Sequence, residues 1–511
     1  MSTSTDPASM STADLAAELR CAGVSEVADS TLIRAEYSSD ASLYRVPPRV
    51  VVTPRDADEV AAALAVCRAE GVPVTARGAG TSIAGNAVGP GVVLDFSRHL
   101  NRVLSIDPER REAVVQPGVV LDALQREARP HALRFGPDPS THNRCTLGGM
   151  IGNNACGSRA LGYGRTADNV LGLDVLTGSG ERLHAIAGAD PASSPTLTAL
   201  HRVVAGNLGV IRTELGRFSR QVSGYSLEHL LPENGFDVAK ALVGTEGTCG
   251  IVLGATLRLV PAPATSMLVV LGYPDMASAA DAVPTLLPHR PTALEGLDAR
   301  IVDAVRTRRG ASRVPVLPDG SGWLFVELSG DTTAELYETA RRLVADTEAK
   351  DSLVVDDPAK AAALWRIRED GAGLSARSER GAPAHAGWED AAVPPERLGD
   401  YLREFDALLT RHGLAGIPYG HFGDGCLHIR IDFPLSADDG RRVFRDFMLD
   451  AAKLVAAHGG SCSGEHGDGR TRGELLGLMY SADAIAAFGG MKAAFDPDDL
   501  LNPGIIVRPL P

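Results

Sequence analysis

The sequence predicts an α+β fold built from more than one domain. Three observations carry that expectation: a β-α-β unit near the N-terminus that runs into glycines, a series of short β-rich runs separated by turn residues, and a proline-rich seam at 257–266 beyond which strands and helices resume. The first of these, "RVVVTPRDADEVAAALAVCRAEGVPVTARGAG", predicts a strand at Val50–Val52, a helix entered at Asp56 with Glu59 three residues on, and a strand at Val72–Ala76. "GVVLDF", "RVLSI" and "REAVVQPG" follow as short strands, and "VLDALQREA" reads as a helix. The seam "LRLVPAPATS" places a domain boundary near residue 262, and "TAELYETARRLVADTEA" beyond it is an amphipathic helix. The closing "AFDPDDLLNPGIIV" is apolar and turn-rich, which predicts that it docks on the first domain instead of fraying.

Composition narrows the function classes. A chain of 511 residues with 44% hydrophobic content has ample core, and its formal charge of −14 disfavours nucleic acid and anionic membrane as partners. An acidic substrate would need locally placed arginines. The seven cysteines are scattered and never form a C-x-x-C pair, so neither a disulfide framework nor an iron–sulfur quartet is readable. With no basic-then-apolar leader and no apolar run of about 18 residues, the expectation is a cytoplasmic protein without a membrane span.

Glycines cluster at 78–91, 148–164, 244–250, 420–425 and 459–477, where backbone is expected to approach a ligand. "ARGAGTSIAGNAVG" follows a predicted strand and offers backbone N–H groups to a pyrophosphate. Its spacing is neither a Rossmann fingerprint nor a P-loop. "GPDPSTHNRCTLGGMIGNNACGSRALGYGRTADNV" is too irregular for a helix or strand core and predicts ligand-lining loops.

The stretch "GHFGDGCLHIR" alternates about Asp424-Gly425, the dipeptide best suited to a two-residue hairpin turn. A turn there pairs His421 with His428, their Cβ atoms about 4.5–5.5 Å apart, with Arg430 on the same face. Such a pair is often only a surface pair. "HGGSCSGEHGDGRTRGE" adds Glu465 and His466, and two imidazoles with one carboxylate leave open positions on a zinc-like ion.

The segments "ARGAGTSIAG", "PDPS", "TLGGMIGNNACG", "YGRTADNV" and "LVGTEGTCGIV" resemble the FAD-binding domain of the PCMH-type, vanillyl-alcohol-oxidase flavoproteins over roughly residues 35–260. The resemblance implies that Arg77, Gly78, Ala79, Gly80, Thr81 and Ser82 wrap the diphosphate. It implies that Pro137, Asp138 and Ser140, with Thr146, Gly148, Gly149, Gly152, Asn153 and Asn154, line the diphosphate and isoalloxazine. Gly157, Glu246, Gly250, Ile251 and, from "LLNPG", Asn502 complete the cofactor set. Thr81 stands where some members attach flavin through a histidine, so noncovalent FAD is expected.

The paired motifs "HFGDGCLH" and "SGEHGDG" behind such a domain resemble the D-2-hydroxyacid dehydrogenase branch, which includes D-lactate dehydrogenases, the glycolate oxidase flavin subunit and D-2-hydroxyglutarate dehydrogenase. The resemblance implies an N-terminal helical segment (1–34), an FAD domain in two subdomains (35–262), a ferredoxin-like α+β cap domain carrying the metal site (263–484) and a C-terminal segment near FAD (485–511). It implies that His421, His428 and Glu465 hold a divalent metal, zinc foremost and manganese or iron otherwise, with His466 as the base. Arg368 in "LWRIRED", and Arg430 with it, would meet the substrate carboxylate. Hydride would pass from C2 of a D-2-hydroxy acid to flavin N5. Glu389 and Asp390 stand where some members carry a lysine near the substrate, and Cys426 and Arg430 replace common asparagines, which leaves the substrate's far end open.

The variant looks most like the flavin half of bacterial FAD plus iron–sulfur fusions. No cysteine cluster follows Asn502, so a cytochrome, quinone or iron–sulfur acceptor is expected outside this chain, with inner-membrane contact only through it and a homodimer left open. Three other readings remain at this point: a flavin-free zinc hydrolase, an oxidase of alcohols, sugars or amines that uses oxygen, and a noncatalytic electron-transfer subunit.

Overall fold

The computed structural model describes residues 10–374, 377 and 381–509, which form an α+β molecule organised on three sheets. The first sheet has the order Val27–Ala28, Val50–Val52, Val92–Asp95, Val74–Arg77, and its last three strands are parallel. Asp56 caps helix Ala57–Ala69 by accepting from the N–H groups of Asp58 and Glu59. The helix buries Val60, Ala63, Leu64 and Cys67 against Val50, Val52 and Val74. The β-α-β unit is therefore present, but its second strand runs from Val74 to Arg77, and Val92–Asp95 lies between its two strands.

The second sheet has six strands and is centred on Ile251–Pro261, which pairs with Val170–Leu176 on one side and with Glu112–Val115 and Leu133–Phe135 on the other. Residues 262–264 leave this strand and lead to Thr265–Tyr273 of the third sheet. That sheet has seven strands, paired antiparallel throughout, in the order Asp351–Val355, Thr265–Tyr273, Gly322–Gly330, Ala293–Asp298, Gly416–Gly420, Cys426–Ile431, Ala391–Ala392. Helices cover both of its faces. Along Thr265–Tyr273, Met267, Val269, Leu271 and Tyr273 enter one core while Leu268 and Val270 enter the other, which is why the strand reads as an unbroken apolar run.

The chain end returns to the first half. Phe488, Met491 and Phe495 of helix Ala482–Phe495 join the core under the second sheet. Val74 N–H donates to Leu500 O at 2.8 Å, and Asn502 N–H donates to Val74 O at 2.8 Å. Among the described residues all seven cysteines are free, and no helix is long and apolar enough to cross a membrane.

The expectation of irregular backbone through 136–170 needs correction. Residues Leu147–Asn153 form a helix, capped by Thr146 Oγ1, which accepts from Gly149 N–H at 3.2 Å. Its glycines serve packing and access: a Cβ on Gly148 would lie 2.7 Å from Pro117 Cβ, whereas one on Gly152 would meet nothing within 4 Å.

Candidate active site

Strand Val74–Arg77 delivers Arg77–Ser82 into a cavity of about 1320 Å³ between the glycine-rich loops of the first half and the third sheet. Gly80 has a left-handed φ of 66°, and a Cβ on Gly78 would lie 2.1 Å from Thr146 Oγ1, so the first loop closes on the capped helix only without side chains. Gly157, with φ 87°, abuts the Asp138 carbonyl, which a Cβ would approach to 2.4 Å. The lining includes Ser140, Thr146, Gly148, Gly149, Gly152 and Asn153, and then Glu246 and Gly250. Two backbone-lined glycine segments around a space larger than the roughly 300–1,000 Å³ of ordinary ligand sites suit an extended dinucleotide.

Four expected cofactor residues lie outside this lining: Pro137, Asn154, Ile251 and Asn502. Asn154 adopts φ 52° to end its helix, and its Oδ1 accepts from Ala167 N–H. Ile251 is buried where strand Ile251–Pro261 begins. Asn502 braces the cradle from behind, donating to Asn86 O at 2.8 Å and Glu246 O at 2.9 Å.

The same cavity continues to His421, His428, Glu465 and His466. The hairpin that carries the first two is not the predicted one. Phe422–Asp424 forms a 3-10 turn closed by Gly425 at φ 72°, and the last sheet pair is Tyr419 with His428, not His421 with His428. Phe422 forces this register. Its ring is fully buried over Gly296, where a Cβ would come within 2.6 Å, and burying it is worth about 2–3 kcal/mol. The imidazoles still meet, with centroids 4.9 Å apart.

Glu465 Oε1 lies 3.2 Å from His421 Nε2, 3.2 Å from His428 Nε2 and 3.4 Å from His466 Nε2. Donor atoms on a tetrahedral ion at about 2.0–2.1 Å stand roughly 3.3 Å apart, so this spacing fits a metal site. The tautomers fit as well: His421 Nδ1 donates to Glu295 at 2.6 Å and His428 Nδ1 to Glu389 O at 2.6 Å, leaving both Nε2 lone pairs directed inward. Burial opposes a charged His421, but Glu295 and Glu465 outweigh it and bring His421 up to about 9. His428 goes the other way, because burial and the neighbouring His421 and His466 hold it below its ordinary value.

Asp390, His428, Glu465 and His466 also lie within 4.8 Å of one another. Asp390 is the weakest donor of that group because its oxygens already accept from Ser463 Oγ at 2.5 Å, Glu465 N–H at 3.0 Å and His466 N–H at 2.8 Å. It holds the loop. His466 stacks on His428 at 5.1 Å, and its Nδ1 has no hydrogen bond and lies 3.9 Å from Asp390. Burial works against the imidazolium of His466, yet Asp390 and Glu465 raise its pKa overall.

Arg368 and Arg430 both reach the cavity wall. Arg368 Nε donates to Glu295 at 2.9 Å, and its guanidinium lies over the Tyr419 ring at 4.7 Å. Cys426 is fully buried beneath the loop, with Sγ 2.9 Å from where a Gly464 Cβ would stand, so it offers nothing to a substrate.

Several residues that build the site were not singled out in the sequence. Glu295 is an acid within the wholly buried strand Ala293–Asp298, a mismatch visible in "ALEGLD". Arg220 carries no such signal. It is fully buried, with Nη1 3.2 Å from Glu465 Oε2 and Nη2 2.8 Å from Asp424 Oδ2, and Gly157 N–H donates to the same Glu465 oxygen at 2.9 Å. Glu246, already expected in the cofactor set, also accepts from Asp468 N–H, Gly469 N–H and Asn86 Nδ2, tying the cradle to the Glu465–His466 loop. Arg159 forks onto Glu327 at 2.6 and 2.7 Å and reaches Asp138 at 2.7 Å, joining the cradle to the third sheet.

Comparison with known proteins agrees with this geometry. Residues 48–185 match the FAD binding domain model, and residues 262–506 match that of the FAD linked oxidases, C-terminal domain. The chain is 33% identical to a D-2-hydroxyglutarate dehydrogenase of Pseudomonas putida over 93% of its own length and 50% of that protein's, so it spans about half the length of this relative. It is 30% identical to glycolate oxidase subunit GlcD of Escherichia coli (91% and 84% covered) and 30% identical to a probable mitochondrial D-lactate dehydrogenase of Danio rerio (94% and 89%). A solved 4-ethylphenol oxidase from Gulosibacter chungangensis shares the fold at TM-score 0.69 and 15% identity, with 97% of each chain covered. The chain belongs to the FAD-linked oxidase, PCMH-type, family of flavoproteins.

Proposed function

We propose that the chain is an FAD-dependent dehydrogenase that oxidises a D-2-hydroxy acid, of the D-lactate, glycolate or D-2-hydroxyglutarate kind, to the 2-oxo acid. The observation that carries this reading is the single cavity running from the glycine cradle to the His421, His428, Glu465 and His466 cluster. Noncovalent FAD held by Arg77–Ser82, Asp138–Asn153 and Glu246 would supply the hydride acceptor, and a divalent ion, zinc foremost, held by His421, His428 and Glu465 would acidify the substrate hydroxyl.

The chain's own side chains do the rest. Glu295 and the Glu389 carbonyl fix the two histidine rings, while Arg220 and Gly157 N–H hold Glu465 Oε2 and leave Oε1 to the imidazoles. His466 accepts the hydroxyl proton at Nε2, and the Asp390 charge beside Nδ1 stabilises the imidazolium that forms. Arg368 positions the substrate carboxylate. The C2 hydrogen leaves as hydride, the hydroxyl proton stays on His466, and a 2-oxo acid remains. We assign reoxidation to an acceptor outside this chain, a cytochrome, a quinone or an iron–sulfur module.

The test is anaerobic flavin bleaching by a panel of D- and L-2-hydroxy acids. His466→Ala is expected to retain flavin absorbance near 450 nm while bleaching by the best D-acid falls about 10²–10⁴-fold. Undiminished bleaching in that variant refutes the assignment.

A further inference from the structure

Beside the reacting centre the cavity wall holds a charge pair that hydride transfer does not use. Glu389 is 3% exposed and faces the cavity, and its Oε1 lies 2.7 Å from Arg430 Nε. The two atoms are close but misaligned, and neither makes a hydrogen bond. The two charges offset one another as an ion pair, but the poor alignment leaves an acceptor and a donor at a ligand cavity that a group able both to donate and to accept could bridge.

Their position says which part of a substrate they would meet. Glu389 O accepts from His428 Nδ1, and Arg430 lies two residues past His428 on the same face of strand Cys426–Ile431, so the pair adjoins the metal histidines. Arg368 enters from helix Pro358–Leu374, and its partner Glu295 is shared with His421, which leaves Arg368 net capacity for an anion. Glu389 is ion-paired with Arg430 and its charge also reaches His466, so the pair offers no surplus positive charge to a second anion. A second carboxylate placed there would meet the Glu389 charge along with Arg430. A hydroxyl could donate to Glu389 Oε1 and accept from Arg430 Nε.

We infer that Glu389 and Arg430 form the subsite for the substrate's side chain and select D-2-hydroxy monocarboxylic acids bearing a further hydroxyl over those ending in a second carboxylate. This rests on the dehydrogenase reading above and names its substrate class. It places this chain's preference apart from the substrate in the name of its Pseudomonas putida relative.

The experiment compares D-glycerate with D-2-hydroxyglutarate, and D-lactate as reference, in anaerobic bleaching of the flavin-loaded protein. Binding of hydroxypyruvate and 2-oxoglutarate, read from the shift of flavin absorbance, gives a second measure without turnover. The wild type is expected to favour D-glycerate at least roughly tenfold, and Glu389→Gln, which removes one like charge, to move that ratio about tenfold toward the dicarboxylate. A wild-type preference for D-2-hydroxyglutarate, or an unmoved ratio in a flavin-loaded Glu389→Gln protein, overturns the inference alone. If the variant loses flavin, the wild-type order and the two 2-oxo acid affinities decide. If D-lactate and both test acids leave the flavin oxidised, the dehydrogenase reading itself falls, and the subsite with it.

Discussion

Arg159→Met tests how the two halves of the molecule are held across the cavity. The guanidinium makes three side-chain hydrogen bonds, two to Glu327 on the third sheet and one to Asp138 beside the cradle, and lies over Trp365 at 5.6 Å. Methionine keeps the volume and the backbone N–H that donates to Asp138, but it leaves two largely buried carboxylates unmatched. Breaking a buried ion pair costs about 3–5 kcal/mol. The Arg159 side chain is 30% exposed, so water recovers part of that, and about 3 kcal/mol is expected. For domains of 150–250 residues each kcal/mol lowers Tm by about 2–4 °C, which gives roughly 6–12 °C. The assay is thermal unfolding of the flavin-loaded protein followed by flavin fluorescence. Arg159→Lys keeps the charge but not the fork, so it is expected to lose about half as much. A methionine variant within about 2 °C of wild type, or a lysine variant indistinguishable from it, refutes the claim that the fork joins the halves.

Two further outcomes follow from the cradle. Gly152→Val puts a side chain into space with no atom within 4 Å of its Cβ, so the protein should fold, with unchanged far-UV circular dichroism, yet purify with little flavin; full flavin content would show that Gly152 does not face the cofactor. Burial, with the Asp468 charge beside it, holds the Glu246 carboxyl above its ordinary value of 4.5. The folded state then keeps a proton that the unfolded chain sheds, so this group's contribution to stability is greatest below pH 4.5 and declines as pH rises above it. Glu246→Gln removes that term. Its Tm should fall less steeply than wild type between pH 5 and 8, and parallel slopes would contradict the reasoning.

Local patterns made much of this molecule readable. The β-α-β unit, its Asp56 cap and the alternation about Asp424-Gly425 are short-range features, in which side-chain period and turn chemistry act on neighbouring residues. The hairpin register departs from the expected one because Phe422 is anchored by Gly296, 126 residues away, and no local rule contains that contact. Helix Leu147–Asn153 stands where loop is expected because three glycines lower its propensity, a cost offset by burying Leu147, Met150 and Ile151 and by the Thr146 cap. His421, His428, Glu465 and His466 were legible because donor residues recur at chelating spacings. Arg220 and Asp390 carry no local signal of their supporting roles, since a buried charge is identified only by the partner that tertiary structure brings to it.

The hydrogen bonds around Glu465 and His466 bear on how the two cofactor sites fill. Gly157 N–H holds Glu465 Oε2, and Asn153 Nδ2 donates to His466 O at 2.6 Å, so a short stretch that walls the glycine cradle also grips the proposed metal ligand and the proposed base. An ion that stiffens one side of this stretch changes the cost of ordering the other. Because linkage is reciprocal, whatever factor the ion contributes to flavin affinity, flavin must return to the ion in equal measure. A preparation stripped of one cofactor is therefore a altered vessel for the other, and the two occupancies should be assayed together.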